Sequence, residues 1–180
     1  MEEDINSLLS KGRQVLIQMA WDLVSEKQNE FRILPEDYEA SVWSNQQEVR
    51  VKFRRLIRYI PESRYLEYDI SVCLMSRKVS PFDDWFYQNN FFVPDKEQRK
   101  AIIYLKGLLK LPFPFMNHEI YEDDDHYYVN TNNKTAFRHY IVNKKSGELS
   151  EPLEGTYLVL PELFSDDGEF GEESKWMEVK

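Results

Sequence analysis

Residues 38–54 read Tyr38-Glu39-Ala40-Ser41-Val42-Trp43-Ser44-Asn45-Gln46-Gln47-Glu48-Val49-Arg50-Val51-Lys52-Phe53-Arg54. Tyr38, Ala40 and Val42 alternate with Glu39 and Ser41. Past the polar Asn45-Gln46-Gln47, Val49, Val51 and Phe53 alternate with Arg50, Lys52 and Arg54. A two-residue period belongs to a strand with one face buried and the other solvated. Two such runs joined by a short polar segment predict antiparallel strands around a turn. The second strand is expected to run on toward Tyr59, with a bulge where the doublet Arg54-Arg55 breaks the alternation. A third strand carries Leu66, Tyr68, Ile70, Val72 and Leu74 on one face.

Upstream lies a helical pattern. Over residues 6–28, Leu8, Leu9, Leu16, Met19, Ala20, Leu23 and Val24 recur at spacings of three and four and share one face. Asn6 or Ser7 is placed to cap its start, and Pro35 lies beyond its end. Downstream the same order returns. Asp95 followed by Gln98 predicts a capping box opening a helix with the stripe Ala101, Ile102, Leu105, Leu108 and Leu109, which Pro112 stops. Strands are expected over roughly 115–121, 126–131 and 134–143, separated by the turn signals Glu122-Asp123-Asp124 and Asn132-Asn133, with a further strand at 155–160. Helix, strand, strand, strand therefore occurs twice. The two rounds also end alike: Val72 and Val142, Ser76 and Ser146, and Ser80 and Ser150 match at an offset of 70.

The expected class is α+β, with helices packed on antiparallel sheet. The hairpin-length connections favour antiparallel pairing, as two tandem units or as one continuous curved sheet. Residues 1–81 form the first α-β-β-β unit, 82–94 an aromatic connector, 95–160 the second unit with its extra strand, and 161–180 an acidic tail.

The segment Tyr140-Ile141-Val142-Asn143-Lys144-Lys145-Ser146-Gly147-Glu148-Leu149, a strand leading into a Lys-Lys-Ser-Gly-Glu turn, resembles the closing hairpin of PepSY-type domains. It is also similar to one in small immunity proteins of the nuclear-transport-factor-like class. Both families pack a helix on a curved antiparallel sheet. The first round departs from the pattern, with Arg77-Lys78 where a glycine belongs. The resemblance implies a non-enzymatic protein that inhibits or binds a protein partner.

Composition bounds the function. The chain has 180 residues, is 42% hydrophobic and carries a net charge of −9. Residues 1–81 hold 12 basic and 13 acidic side chains, whereas residues 82–180 hold 11 and 19. The acidic excess therefore lies in the second half, which repels nucleic acid and anionic membrane and suits a basic partner. Met1-Glu2-Glu3-Asp4 lacks the basic start of a signal peptide, no run approaches the ~18 apolar residues of a membrane span, and Cys73 is the one cysteine. Together these point to the cytoplasm.

The chain has no Gly-x-Ser-x-Gly elbow, no His-Glu-x-x-His and no phosphate-cradling glycine loop, so no catalytic group, cofactor or metal is expected. His118, His126 and His139 fall on three successive strands without ligand spacing, and Cys73 reads as structural. Arg50, Lys52 and Arg54 read as the solvated face of a strand, with Glu39 and Asp69 available to pair with them.

The partner-binding candidates are Asp123, Asp124 and Asp125, the connector aromatics Phe82, Trp85, Phe86 and Phe92, and the tail acids Asp166 and Asp167. Packed inside, the connector is hydrophobic mortar between the units; exposed, it is a binding patch. The expected function is cytoplasmic protein binding of the inhibitor or immunity type. Its rivals are a small-molecule-binding or enzymatic cone-shaped domain and a structural or regulatory module of a larger assembly.

Overall fold

The strand hairpin forms as its alternation requires. In the computed structural model, which describes residues 4–28, 33–61, 66–110, 117–133, 136–156 and 176–180, β1 (Tyr38–Ser44) pairs antiparallel with β2 (Val49–Arg55) from Ser44↔Val49 to Tyr38↔Arg55. Asn45 makes the turn, its side-chain oxygen accepting from the backbone N–H groups of Gln47 and Glu48 at 2.8 and 2.9 Å. Val42, Val49, Val51 and Phe53 are buried on one face, and Arg50, Lys52 and Arg54 lie half-buried on the other.

The chain is α+β, with two five-stranded sheets. Its described residues divide into two compact units, one within Met1–Arg55, Tyr65–Val93 and Asp166–Lys180, the other within Leu56–Arg64 and Pro94–Ser165.

In the first unit, the expected single helix is two. α1 (Ile5–Ser10) and α2 (Arg13–Lys27) are parted by Gly12, whose φ of +83° no helix interior accepts. Asp4 caps α1, ahead of the expected Asn6 or Ser7, by accepting from the Ser7 N–H at 2.8 Å. The apolar stripe runs across the break: Leu8, Leu16, Ala20, Leu23 and Val24 are buried, with Leu9 and Met19 packed at its margin. These residues meet Val42, Val49, Val51, Ile70, Val72 and Val79 in one core.

The expected bulge at Arg54-Arg55 is instead the end of a strand. The Arg55 N–H donates to the Asp69 carboxylate at 2.9 Å, so a side chain takes the place of a ladder partner. Its buried guanidinium lies over the Tyr38 ring, 5.1 Å from the centroid, with Asp37 Oδ2 at 3.6 Å. After Leu56 the chain enters β3 (Ile57–Tyr59), which belongs to the other sheet. β4 (Ile70–Cys73) and β5 (Lys78–Ser80) complete the meander, and β10 (Met177–Glu178) lies antiparallel on the free edge of β1. The first sheet thus runs β10-β1-β2-β4-β5.

The connector belongs to the first unit. Phe82 and Phe91 are buried in its core, edge to face at 5.1 Å, and Tyr68 meets Phe92 at 5.6 Å. Trp85, which opens the short helix α3 (Trp85–Gln88), is 78% exposed and fills no core. The side chain of Phe86 and the residues Asp166 and Asp167 lie outside the described part, as do Pro112 and residues 157–160 of the expected last strand.

In the second unit, α4 (Lys96–Leu109) opens on the expected capping box. Asp95 accepts from the Gln98 N–H at 2.9 Å, and Gln98 Oε1 accepts from the Asp95 N–H at 3.0 Å. β6 (Asn117–Glu122), β7 (His126–Asn132), β8 (Ala136–Asn143) and β9 (Leu153–Thr156) follow as antiparallel neighbours. β3 lies on the far side of β6, and this pair is parallel, against the expected antiparallel rule. Ile120, Val129, Thr131, Tyr140 and Val142 form the buried face.

The hairpins that close the two rounds match in register. Val72 pairs with Val79, and Val142 bridges Leu149, each position displaced by 70. Between them the turn needs a left-handed residue, and both rounds place it at the same point: Arg77 at φ +54° and Gly147 at φ +69°. Among the described residues no helix is long and apolar enough to cross a membrane.

Candidate partner-binding face

Strand register aligns side chains across the second sheet. On its outer face Tyr121, Tyr128 and Ile141 stand directly opposite one another on β6, β7 and β8. The next row is Glu119, Asn130, His139 and Leu153, and the third contains Phe137 opposite Gly155. Three of these apolar groups are strongly open to solvent: Tyr121 is 37% exposed, Ile141 42% and Leu153 67%. Such side chains scattered singly need no explanation, but neighbours on adjoining strands form a patch of the kind that marks interaction sites. Phe137 lies across Gly155, where an added Cβ would meet its ring at 2.4 Å.

The acidic turn closes one end of this face. Asp123 accepts from the backbone N–H groups of Asp125 and His126 at 2.9 and 2.7 Å and from the Tyr128 hydroxyl at 2.7 Å. These donors, the Tyr128 hydroxyl first, hold its carboxyl down to about 2. Asp123 is therefore the organiser of the β6–β7 turn. Asp125 is paired with Lys145 at 3.0 Å, and Lys144 reaches Glu122 at 2.6 Å and the Asp123 carbonyl. Among the described residues Asp124 makes none of these contacts. Four carboxylates, Glu122 to Asp125, stand against Lys144 and Lys145, leaving a local charge of −2. The patch is milder than the triplet suggests.

Behind the turn, Tyr59, Glu122, Lys144 and Tyr127 form a connected cluster. Burial, then the hydrogen bond to Glu122, raises the Tyr59 phenol above its ordinary range. Burial pushes Glu122 up, but hydrogen bonds from Lys144 and Tyr59 hold it below the usual carboxylate range. Burial pulls Lys144 down, yet its bond to Glu122 raises it, and its ammonium lies 4.8 Å from the Tyr127 ring centre. Each shift moves a group further from neutral pH. A group tuned for proton transfer is moved toward it.

The other sequence candidates are dispersed. His118 is buried on the inner face of β6, while His139 lies on the outer face and shares a 2.6 Å hydrogen bond with Asn130. Among the described residues no group of three or more His, Cys, Asp or Glu side chains converges on a point. Cys73 donates to Glu48 at 3.1 Å. Arg54 pairs with Glu39 at 2.6 Å, the cross-strand partner that its stripe anticipated. Phe82 is core and Phe92 half-buried, so of the connector aromatics with a described side chain Trp85 is the most open to a partner.

The aromatic row of the second sheet escaped the sequence reading. Its signal was there: Tyr127 and Tyr128, and likewise Tyr140 and Ile141, put bulky side chains on both faces of one strand, whereas a simple half-buried strand carries them on one.

No protein-family model matches the chain, and no curated protein or solved structure is significantly similar to it.

Proposed function

We propose that this chain is a non-enzymatic, cytoplasmic protein-binding protein of the inhibitor or immunity type, and that the outer face of β6–β9 is its docking surface. The observation that carries the reading is the row Tyr121, Tyr128 and Ile141 across β6, β7 and β8, with Leu153 exposed beside it on β9. Aromatic and aliphatic anchors with a polar margin are the composition of a binding hot spot. The partner is a protein with an apolar patch and basic rim, since Glu119 lies on this face and Asp123 to Asp125 close one end of it. Steering by those carboxylates speeds encounter, and burial of the apolar row sets the lifetime of the complex.

The test begins with capture from native extract at low salt, followed by kinetics with the purified partner. Ile141→Lys should raise the dissociation rate by tenfold or more, on the ~2 kcal/mol typical of a hot-spot residue. Asp124→Asn should lower the association rate and leave the lifetime nearly unchanged. If Trp85→Ala abolished binding while Ile141→Lys did not, the surface would be the α3 patch, and this assignment would be wrong.

A further inference from the structure

The outer face of the first sheet is polar, but it is not flat. It holds a hollow of about 570 Å³, walled by Glu67 and by Tyr87 of α3. That volume suits a small molecule. The floor is a single register row across four strands, Ser41↔Lys52↔Ser71↔Ser80. At the ~4.8 Å spacing of neighbouring strands this row is roughly 14 Å long, so three hydroxyls and one ammonium line a continuous track.

Several charged groups of the wall are engaged by protein partners. Glu39 is paired with Arg54 at 2.6 Å, Arg13 donates to the Ala40 carbonyl at 2.8 Å, and Asp69 accepts from the Arg55 N–H at 2.9 Å. Three basic residues (Arg13, Lys52, Arg54) face four acidic ones (Glu39, Glu67, Asp69, Glu178), a difference of −1. A strongly charged ligand would meet like charge as closely as unlike. A neutral ligand with many hydroxyls can use both the donors and the acceptors.

Two aromatic side chains complete the picture. Trp43 and Tyr87 line the same hollow, and the Trp43 indole N–H donates to Ser41 Oγ at 2.9 Å, which fixes the ring. Ser41 accepts there and keeps its own proton to donate. Rigid aromatic groups beside paired donors and acceptors suit a molecule with an apolar C–H face and a hydroxyl edge.

We propose that this hollow binds a neutral saccharide of one or two rings, with its hydroxyls on the Ser41–Lys52–Ser71–Ser80 track and a ring face against Trp43 or Tyr87. The site is independent of the docking face on the second sheet.

The proposal is tested by saturation-transfer NMR and tryptophan fluorescence with glucose, galactose, mannose, maltose and cellobiose, and with citrate, arginine and spermidine as charged probes. At least one saccharide should bind with a millimolar or tighter Kd and bind better than every charged probe. Ser71→Val and Lys52→Met should each weaken it by about tenfold or more, on the loss of a direct hydrogen bond to the ligand. Each variant's thermal midpoint and circular dichroism are recorded alongside, and Tyr87→Ala, on the rim, provides a third arm that leaves the sheet intact. Absence of binding to all five sugars overturns the proposal. So does stronger binding of a charged probe, or saccharide binding unaffected by all three variants.

Discussion

Single residues carry much of the shape. Arg77 adopts the left-handed conformation that Gly147 occupies at the matching position, and an L side chain there costs roughly 1 kcal/mol. Its ion pair with Glu26, 3.7 Å apart and largely exposed, offers little in return. Arg77→Gly should therefore stabilise the protein by ~0.5–1 kcal/mol in denaturant titration; a loss of stability would show that the arginine is needed for more than its backbone. Asp123 gives a pH dependence. Its folded carboxyl, held down to about 2, is below the ordinary value of ~4, so its stabilisation of the turn is fully present above pH ~4 and is lost as pH falls through about 2. Amide resonances of Asp125 and His126 should stay put at pH 4 and shift only below it. A midpoint near 4 would mean that the Tyr128 and backbone donors do not act on Asp123 in solution. Arg55 was the hardest residue to read, because a buried arginine and a mid-strand bulge present the same doublet.

At the scale of elements, legibility followed the range of the cause. The β1–β2 hairpin, the α4 capping box and the β6–β8 meander depend on alternation and on turn or cap residues within a few positions, so the sequence displays them. The break at Gly12 was hidden because the apolar stripe continues through it. The parallel β3–β6 pair was hidden because the partners Ile57 and His118 are far apart in sequence, and nothing local marks a strand that changes sheets. The acids at 123–125 were visible as charge, yet their hydrogen-bonding duty arises only once the turn is built. Removing the cap with Asp95→Ala should cost ~1 kcal/mol, measured by chemical denaturation. An unchanged stability would mean that α4 is held by tertiary packing alone. The connector is tested in the same way. Phe82→Ala or Phe91→Ala should cost ~3–5 kcal/mol as buried aromatics, whereas Trp85→Ala should stay within ~0.5 kcal/mol as a surface change. A reversed order would restore Trp85 as core.

For the molecule as a whole, one closing hairpin in each sheet shares its register at an offset of 70, and the outer faces of the two sheets differ. One carries paired charges and hydroxyls around a hollow, and the other an aromatic and aliphatic row beside a mildly acidic turn. The charge asymmetry of the sequence is retained as a mildly acidic turn in the second unit, whereas the exposed apolar side chains beside it are not marked by charge. Salt therefore separates two contributions: raising it should slow association while hardly changing dissociation. The most direct measurement is methyl NMR of the chain labelled at isoleucine and leucine, titrated with its purified partner. With docking on the outer face of β6–β9, the methyls of Ile141 and Leu153 should shift or broaden, while those of the buried Ile70 and Ile120 stay in place. Perturbation that left Ile141 and Leu153 unmoved would contradict it.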